Sequence, residues 1–177
     1  LGGKAVVHYF HQPDDPYSQL SAQLLKPLTD TYRITLQSHI VSPPDAAAAP
    51  ELEKLNRLAR EDAALLAQAY GLKYPPPAGA PKDAGANGDA LRKRLGHYLS
   101  AMFYFEGEWY WGLDRLHFLE ERLHGVGLSK SKAAFKPIAP VKEVTLSGRP
   151  GSAKGATLDY FLSFRSPYTY LAASRVQ

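Results

Sequence analysis

The sequence predicts an α/β fold, and three observations carry that reading. A strand–helix–strand pattern opens the chain, a long amphipathic helix follows, and a dense aromatic hairpin leads into a further amphipathic helix.

Lys4 to His11 (Lys-Ala-Val-Val-His-Tyr-Phe-His) is rich in β-branched and aromatic residues and reads as a short strand. The polar run Gln12-Pro13-Asp14-Asp15 ends it. From Pro16 a helical pattern begins, with Leu20, Leu24, Leu25 and Leu28 recurring at helical spacing. Arg33 to Val41 is a second strand, stopped by Pro43-Pro44, and this order implies a parallel pair with a crossover helix. Glu51 to Leu72 is a helix with an apolar stripe of Leu55, Leu58, Ala59, Leu65, Leu66, Ala69 and Leu72, closed at Gly71. Residues 73–89, rich in Pro, Gly and Ala, read as a loop, and Ala90 to His97 as a short basic helix. Ala101 to Phe105 and Glu108 to Trp111 form a hairpin turning at Glu106-Gly107. Asp114 to His124 carries Leu116, Leu119 and Leu123 on one helical face, with Gly125 and Gly127 as stops. Residues 128–155 read as a linker in which Val141 to Leu146 could add a strand. Thr157 to Phe164 is a further strand, and Pro167 to Val176 begins a helix.

Composition narrows the function classes. Lys and Arg exceed Asp and Glu by 21 − 17 = 4, a mild excess that falls short of a nucleic-acid footprint. The apolar runs stay well below the roughly 18 residues of a membrane helix. With no cysteine there is no disulfide, thiolate metal site or dithiol redox chemistry within these residues. The chain starts at Leu1 and its single methionine is Met102, so a trimmed or partial chain is expected.

The chain also matches itself. His8 to Leu20 aligns without gaps on Asp159 to Leu171, an offset of 159 − 8 = 151, with Tyr, Phe, Pro, Tyr and Leu coinciding. Two copies of one strand–helix opening are expected, the second cut short.

The second copy, Tyr160-Phe161-Leu162-Ser163-Phe164-Arg165-Ser166-Pro167-Tyr168-Thr169-Tyr170-Leu171-Ala172, resembles the opening of 2-hydroxychromene-2-carboxylate isomerases and kappa-class glutathione transferases. These belong to the DsbA-like branch of the thioredoxin fold. Phe105-Glu106-Gly107-Glu108-Trp109-Tyr110-Trp111-Gly112-Leu113-Asp114-Arg115-Leu116 is similar to the closing hairpin and helix start of the same family. The resemblance implies a thioredoxin-like, DsbA-type module of β-α-β, helical insertion and β-β-α over residues 1–127. A linker at 128–156 and the first strand and helix of a second module at 157–177 would follow. It also implies glutathione as cofactor, held at the start of the first helix with a serine hydroxyl beside its sulfur. Helix N–H groups and the helix dipole stabilise a thiolate there.

By position, Ser166 carries that serine role, although Ser166-Pro167 is equally an ordinary cap and first helical residue. Asp15-Pro16 stands at the matching place in the first module. Its charge would repel a thiolate, so Asp15 reads as a helix cap, with a general-base role as the catalytic alternative. Relatives place a cis-proline before the third strand, beside the bound peptide. Leu99-Ser100-Ala101-Met102-Phe103 has none, so the cofactor-binding backbone expected at Ser100 and Ala101 is altered. Asp114 matches the aspartate that in relatives contacts the γ-glutamyl end of glutathione, and Arg115 follows it in the motif. The structural alternative is Asp114 as N-cap, with Leu113 and Phe118 as a hydrophobic staple. The aromatic residues Phe103, Tyr104, Phe105, Trp109, Tyr110 and Trp111 read as hairpin core or as a stacking surface. No metal site is expected: His8 and His11 point to opposite faces of a strand, and His117 and His124 share a helical face without an evident carboxylate.

Two functions follow. One is a glutathione-dependent isomerase or transferase acting on a hydrophobic or aromatic electrophile, with a degenerate first module. The other is a non-catalytic thioredoxin-fold scaffold or dimerisation module, with a homodimer as its assembly. Disulfide exchange is disfavoured, since no cysteine is present among these residues. Neither nucleic acid nor a membrane is expected as partner, and cytoplasmic is the default compartment.

Overall fold

The computed structural model describes residues 5–76, 79, 81, 84, 85, 87–142, 154–157, 159–164 and 166–174. It divides into two compact units, Leu1–Lys142 and Glu143–Gln177.

Unit 1 is α/β. Its order is β1 (Val6–His11), α1 (Pro16–Ala22), α2 (Leu25–Thr31), β2 (Thr35–Ile40), α3 (Leu52–Tyr70), α4 (Gly88–Arg94), β3 (Met102–Phe105), β4 (Glu108–Trp111) and α5 (Leu116–Gly125). The four strands form one mixed sheet in the order β2-β1-β3-β4. β1 runs parallel to β2 with Val6 opposite Thr35, and antiparallel to β3 with Tyr9 opposite Phe103. The β3–β4 hairpin turns on Glu106 (φ 44°) and Gly107 (φ 92°), two left-handed residues that match the twist of the strands they join.

Strand alternation divides the core between the two faces of the sheet. Val7 and Tyr9 of β1, Phe103 and Phe105 of β3 and Tyr110 of β4 meet Leu20, Leu28, Leu116, Leu119 and Leu123 on one face. Phe10 and Met102 turn to the other, where Leu91 and Leu95 of α4 and its extension cover them. Gly88 lets α4 approach the sheet, because a Cβ there would lie 2.5 Å from the Ile40 carbonyl oxygen.

Two local readings change. The helix expected from Pro16 through Leu28 is two helices. Pro27 has no N–H, and its ring would clash with the carbonyl four residues back, so the chain restarts at Leu25 and places Pro27 in a first turn. In α3 the boundaries agree with the pattern, down to Gly71 at φ 66°, but only part of the expected stripe faces the core: Ala59, Leu66 and Leu72 do, and the rest do not. Ala59, Ala63 and Ala67 are buried, whereas Leu55, Leu58 and Leu65 are exposed, Leu58 by 60% and Leu65 by 65%. Methyl side chains let the helix lie close, and α3 turns that narrow strip inward.

Beyond α5, the buried Glu120 carboxylate accepts from the N–H groups of Ile138 (2.8 Å) and Ala139 (3.2 Å), tying this segment to the helix. The strand considered at Val141 to Leu146 falls largely outside the described residues. No described helix is long and apolar enough to cross a membrane.

Unit 2 contains α6 (Pro167–Ala173), capped by Ser166, whose Oγ accepts from the Thr169 N–H at 3.3 Å. Of the strand expected at Thr157 to Phe164, none of the described residues is in a strand. Phe161 and Phe164 are 91% and 99% exposed there, and no partner strand among the described residues receives their backbone.

Candidate functional site

The site is built where β1 ends and α1 begins. Asp15 adopts an extended conformation (φ −85°, ψ 119°) and accepts from the N–H groups of Tyr17 (3.3 Å) and Ser18 (3.0 Å). Its Oδ2 also receives the hydroxyls of Ser18 (2.7 Å) and Ser100 (3.0 Å). Four donors engage this half-buried carboxylate, which makes capping its observed part and leaves little lone-pair capacity for a base.

Ser18, three residues on, is the hub behind it. Its Oγ accepts from the N–H of Gln12 (3.2 Å) and of Ala101 (3.0 Å), and its carbonyl accepts the Tyr9 hydroxyl (2.6 Å). Tyr9 lies 3.2 Å from Nδ1 of His11, and His11 Nε2 lies 2.9 Å from the Gly79 carbonyl oxygen. Burial holds His11 below the ordinary histidine value, opposed by the Gly79 contact and by Asp15.

Ala101 sits just before β3 at φ 54°, a left-handed conformation unusual for alanine. It is fully buried, with its N–H given to Ser18 and its carbonyl receiving the Gly112 N–H at 2.9 Å. The N–H is thereby engaged inside the protein, and the carbonyl already holds one donor. Ser100, considered with it, faces Asp15.

Beside this network lies a cleft of about 240 Å3, lined by Tyr17, Asp62, Leu66, Trp111, Gly112, Leu113 and Asp114. The Tyr17 hydroxyl donates to Asp62 Oδ2 at 2.8 Å, joining α1 to α3. Burial, then the Asp62 carboxylate, with further contributions from Asp15 and Asp114, push the Tyr17 phenol well above its ordinary value. Asp114 is exposed at the cleft wall and is not the helix cap considered above: Arg115 precedes α5, without a side-chain capping bond. Of the residues considered for a staple, Leu113 is buried and Phe118 exposed. The Arg115 guanidinium lies 5.8 Å from the Trp111 ring centroid and is absent from the cleft lining.

The structure therefore brings Asp15, Ser100 and Ala101 together and sets Asp114 on a neighbouring cleft, while Ser166 belongs to unit 2. Tyr17, Ser18 and Asp62 were not singled out by pattern. The Asp15-Pro16-Tyr17-Ser18 spacing, with a hydroxyl three residues after the cap, is the one signal that pointed towards Ser18. No family model, curated protein or solved structure matches this chain.

Proposed function

We propose that the chain derives from a duplicated thioredoxin-like, DsbA-type module of the 2-hydroxychromene-2-carboxylate isomerase and kappa-class glutathione transferase kind. In this reading unit 1 is a non-catalytic partner, and glutathione chemistry on a hydrophobic or aromatic electrophile belongs to the module opened by Ser166. The supporting observation is a correspondence between two helix starts. Pro16–Ala22 and Pro167–Ala173 are related by the same offset of 167 − 16 = 151 that aligns the sequences. Their cap residues agree closely in backbone, φ −85° and ψ 119° at Asp15 against φ −94° and ψ 116° at Ser166.

The side chains at the two caps differ in a way that matters chemically. Ser166 accepts one N–H and keeps a hydroxyl proton to donate to a sulfur. Asp15 is crowded by four donors and, as a carboxylate, would repel a thiolate. The neighbouring cleft argues the same way. Glutathione carries two carboxylates and one ammonium, and a cleft lined by Asp62 and Asp114 suits only the ammonium.

The test is titration of reduced glutathione into the protein, following thiolate absorbance against pH. With the second module complete, the expected result is saturable binding with a lowered thiol pKa, lost in Ser166→Ala and unaffected in Asp15→Asn. Binding lost in Asp15→Asn but kept in Ser166→Ala would place the chemistry in unit 1 and overturn the assignment. Absence of binding at millimolar glutathione would leave the scaffold reading in its place.

A further inference from the structure

On the sheet face that carries α4, two histidines meet across neighbouring strands. His8 of β1 and His39 of β2 bring Nδ1 and Nε2 to 3.0 Å, with ring centroids 5.2 Å apart and ring planes 32° from parallel. Side chains on adjacent strands come this close only when both point to the same face, and His8, Phe10 and His39 all do. Phe10 stacks on His39 at 5.2 Å between centroids and 27°, and the Tyr104 ring stands 6.2 Å from His8. Both rings are half-buried, so they are walled by aromatic neighbours yet reachable from solvent.

We propose that His8 and His39 form a two-imidazole site for a borderline-soft divalent transition-metal ion of the zinc or copper class. Two imidazoles on one such ion sit ~2.0–2.1 Å from it, which sets their nitrogens roughly 2.9–3.4 Å apart, depending on whether the site is square-planar or tetrahedral. The observed 3.0 Å already falls in that interval. Turning the two lone pairs from one another onto a shared ion needs a swing of the rings rather than a movement of the strands.

The chemistry of the surroundings is consistent with this. Burial lowers the proton affinity of both rings, and His8 lowers that of His39 further, which favours the neutral, ligating form. His8 binds through Nδ1 and His39 through Nε2; the proton shared in their hydrogen bond moves to the outer nitrogen of the ring that holds it, so one tautomer changes and no net proton is lost. Phe10 restrains the His39 ring, which lowers the ordering cost of chelation. No group of three or more ligating side chains occurs among the described residues, so water completes the coordination. Such a donor set selects copper, nickel and zinc over magnesium and calcium, which prefer oxygen. The site lies on the sheet face opposite Tyr9 and the Ser18 network and is independent of the glutathione reading.

The test is titration of copper(II) sulfate into the protein, read by electron paramagnetic resonance and by calorimetry, with zinc chloride as competitor and magnesium chloride as control. One copper per chain is expected, with hyperfine structure from two nitrogens, displaced only by a large excess of zinc and unaffected by magnesium. His8→Gln and His39→Gln should each weaken binding by at least the ~10-fold that loss of even an outer partner costs a metal site, and the double variant should add little. His97→Gln, which removes a histidine outside the pair, should leave binding unchanged. A one-nitrogen signal in the unmodified protein overturns the site, whatever the variants do. So does affinity unchanged in the double variant.

Discussion

The Ser100 hydroxyl donates to Oδ2 of Asp15 at 3.0 Å, joining the chain ahead of β3 to the start of α1 across 85 positions of sequence. The same oxygen receives the Ser18 hydroxyl. A capping residue is thereby also a tie between the sheet and the first helix, and its removal is felt at three places.

Asp15→Ala should therefore cost more than an ordinary cap. Loss of the cap is worth ~1 kcal/mol, and the stranded Ser18 and Ser100 hydroxyls bring the total to about 2 kcal/mol. Asp15→Ser, which still accepts from the helix N–H groups, should lose less than half of that. Urea unfolding of the three proteins checks the order, and equal losses in the two variants would show that the Ser18 and Ser100 contacts, not the cap, carry the effect.

At Ala101 two substitutions separate. Proline fixes φ near −65° against the observed 54° and removes the N–H held by Ser18, so Ala101→Pro should cost about 3 kcal/mol or more. Glycine relieves the left-handed strain but adds freedom to the unfolded chain, so Ala101→Gly should stay within about 0.5 kcal/mol of the parent. Thermal unfolding of both variants measures the contrast.

Glu120 gives a pH dependence with a definite sign. Burial raises its carboxyl above the ordinary value, against the opposing effects of the Ile138 and Ala139 N–H groups, the Tyr32 hydroxyl and His117. The folded state therefore holds this proton more tightly than the unfolded state. Its contribution is fully present below the unfolded carboxyl value and is lost as pH rises through the raised folded one. The stability of the parent relative to Glu120→Gln, which does not titrate, should fall as pH climbs from about 4 towards neutrality. Denaturation of both proteins across that interval reads the slope, and a rising difference would reverse the assignment.

The two faces of α3 predict opposite responses. Leu58→Gln and Leu65→Gln, at exposed positions, should change stability by no more than about 0.5 kcal/mol. Ala63→Leu, at a position with no exposure, should cost roughly 1–3 kcal/mol through overpacking. Comparable effects at Leu58 and Ala63 would return the leucine stripe to the core.

Much of the α/β architecture was legible in the sequence because its signals are local. The β3–β4 turn announces itself in Glu106-Gly107, the end of α3 in Gly71, and the start of α1 in Asp15-Pro16. The buried face of α3 was legible only in part, at Ala59, Leu66 and Leu72. Its leucines exceed its alanines in hydrophobicity, and only proximity to another helix favours the smaller side chain. Asp15 and Asp114 stood out through motif, but Asp62 is one charge among several on a helix until folding carries it to Tyr17, 45 positions away. The His8–His39 pair was hidden for the same reason: each histidine reads singly, and strand register alone makes them neighbours.

The alanine strip on α3 has a consequence for recognition. Ala59, Ala63 and Ala67 set how near α3 stands, and Asp62 and Leu66, on that same helix, furnish part of the cleft lining. The bore of that opening is thus governed from its rear, by methyl groups no ligand touches. A bulkier residue at position 63 would act as a shim, drawing Asp62 away from Tyr17 and retuning what the mouth admits without substituting any residue of its rim.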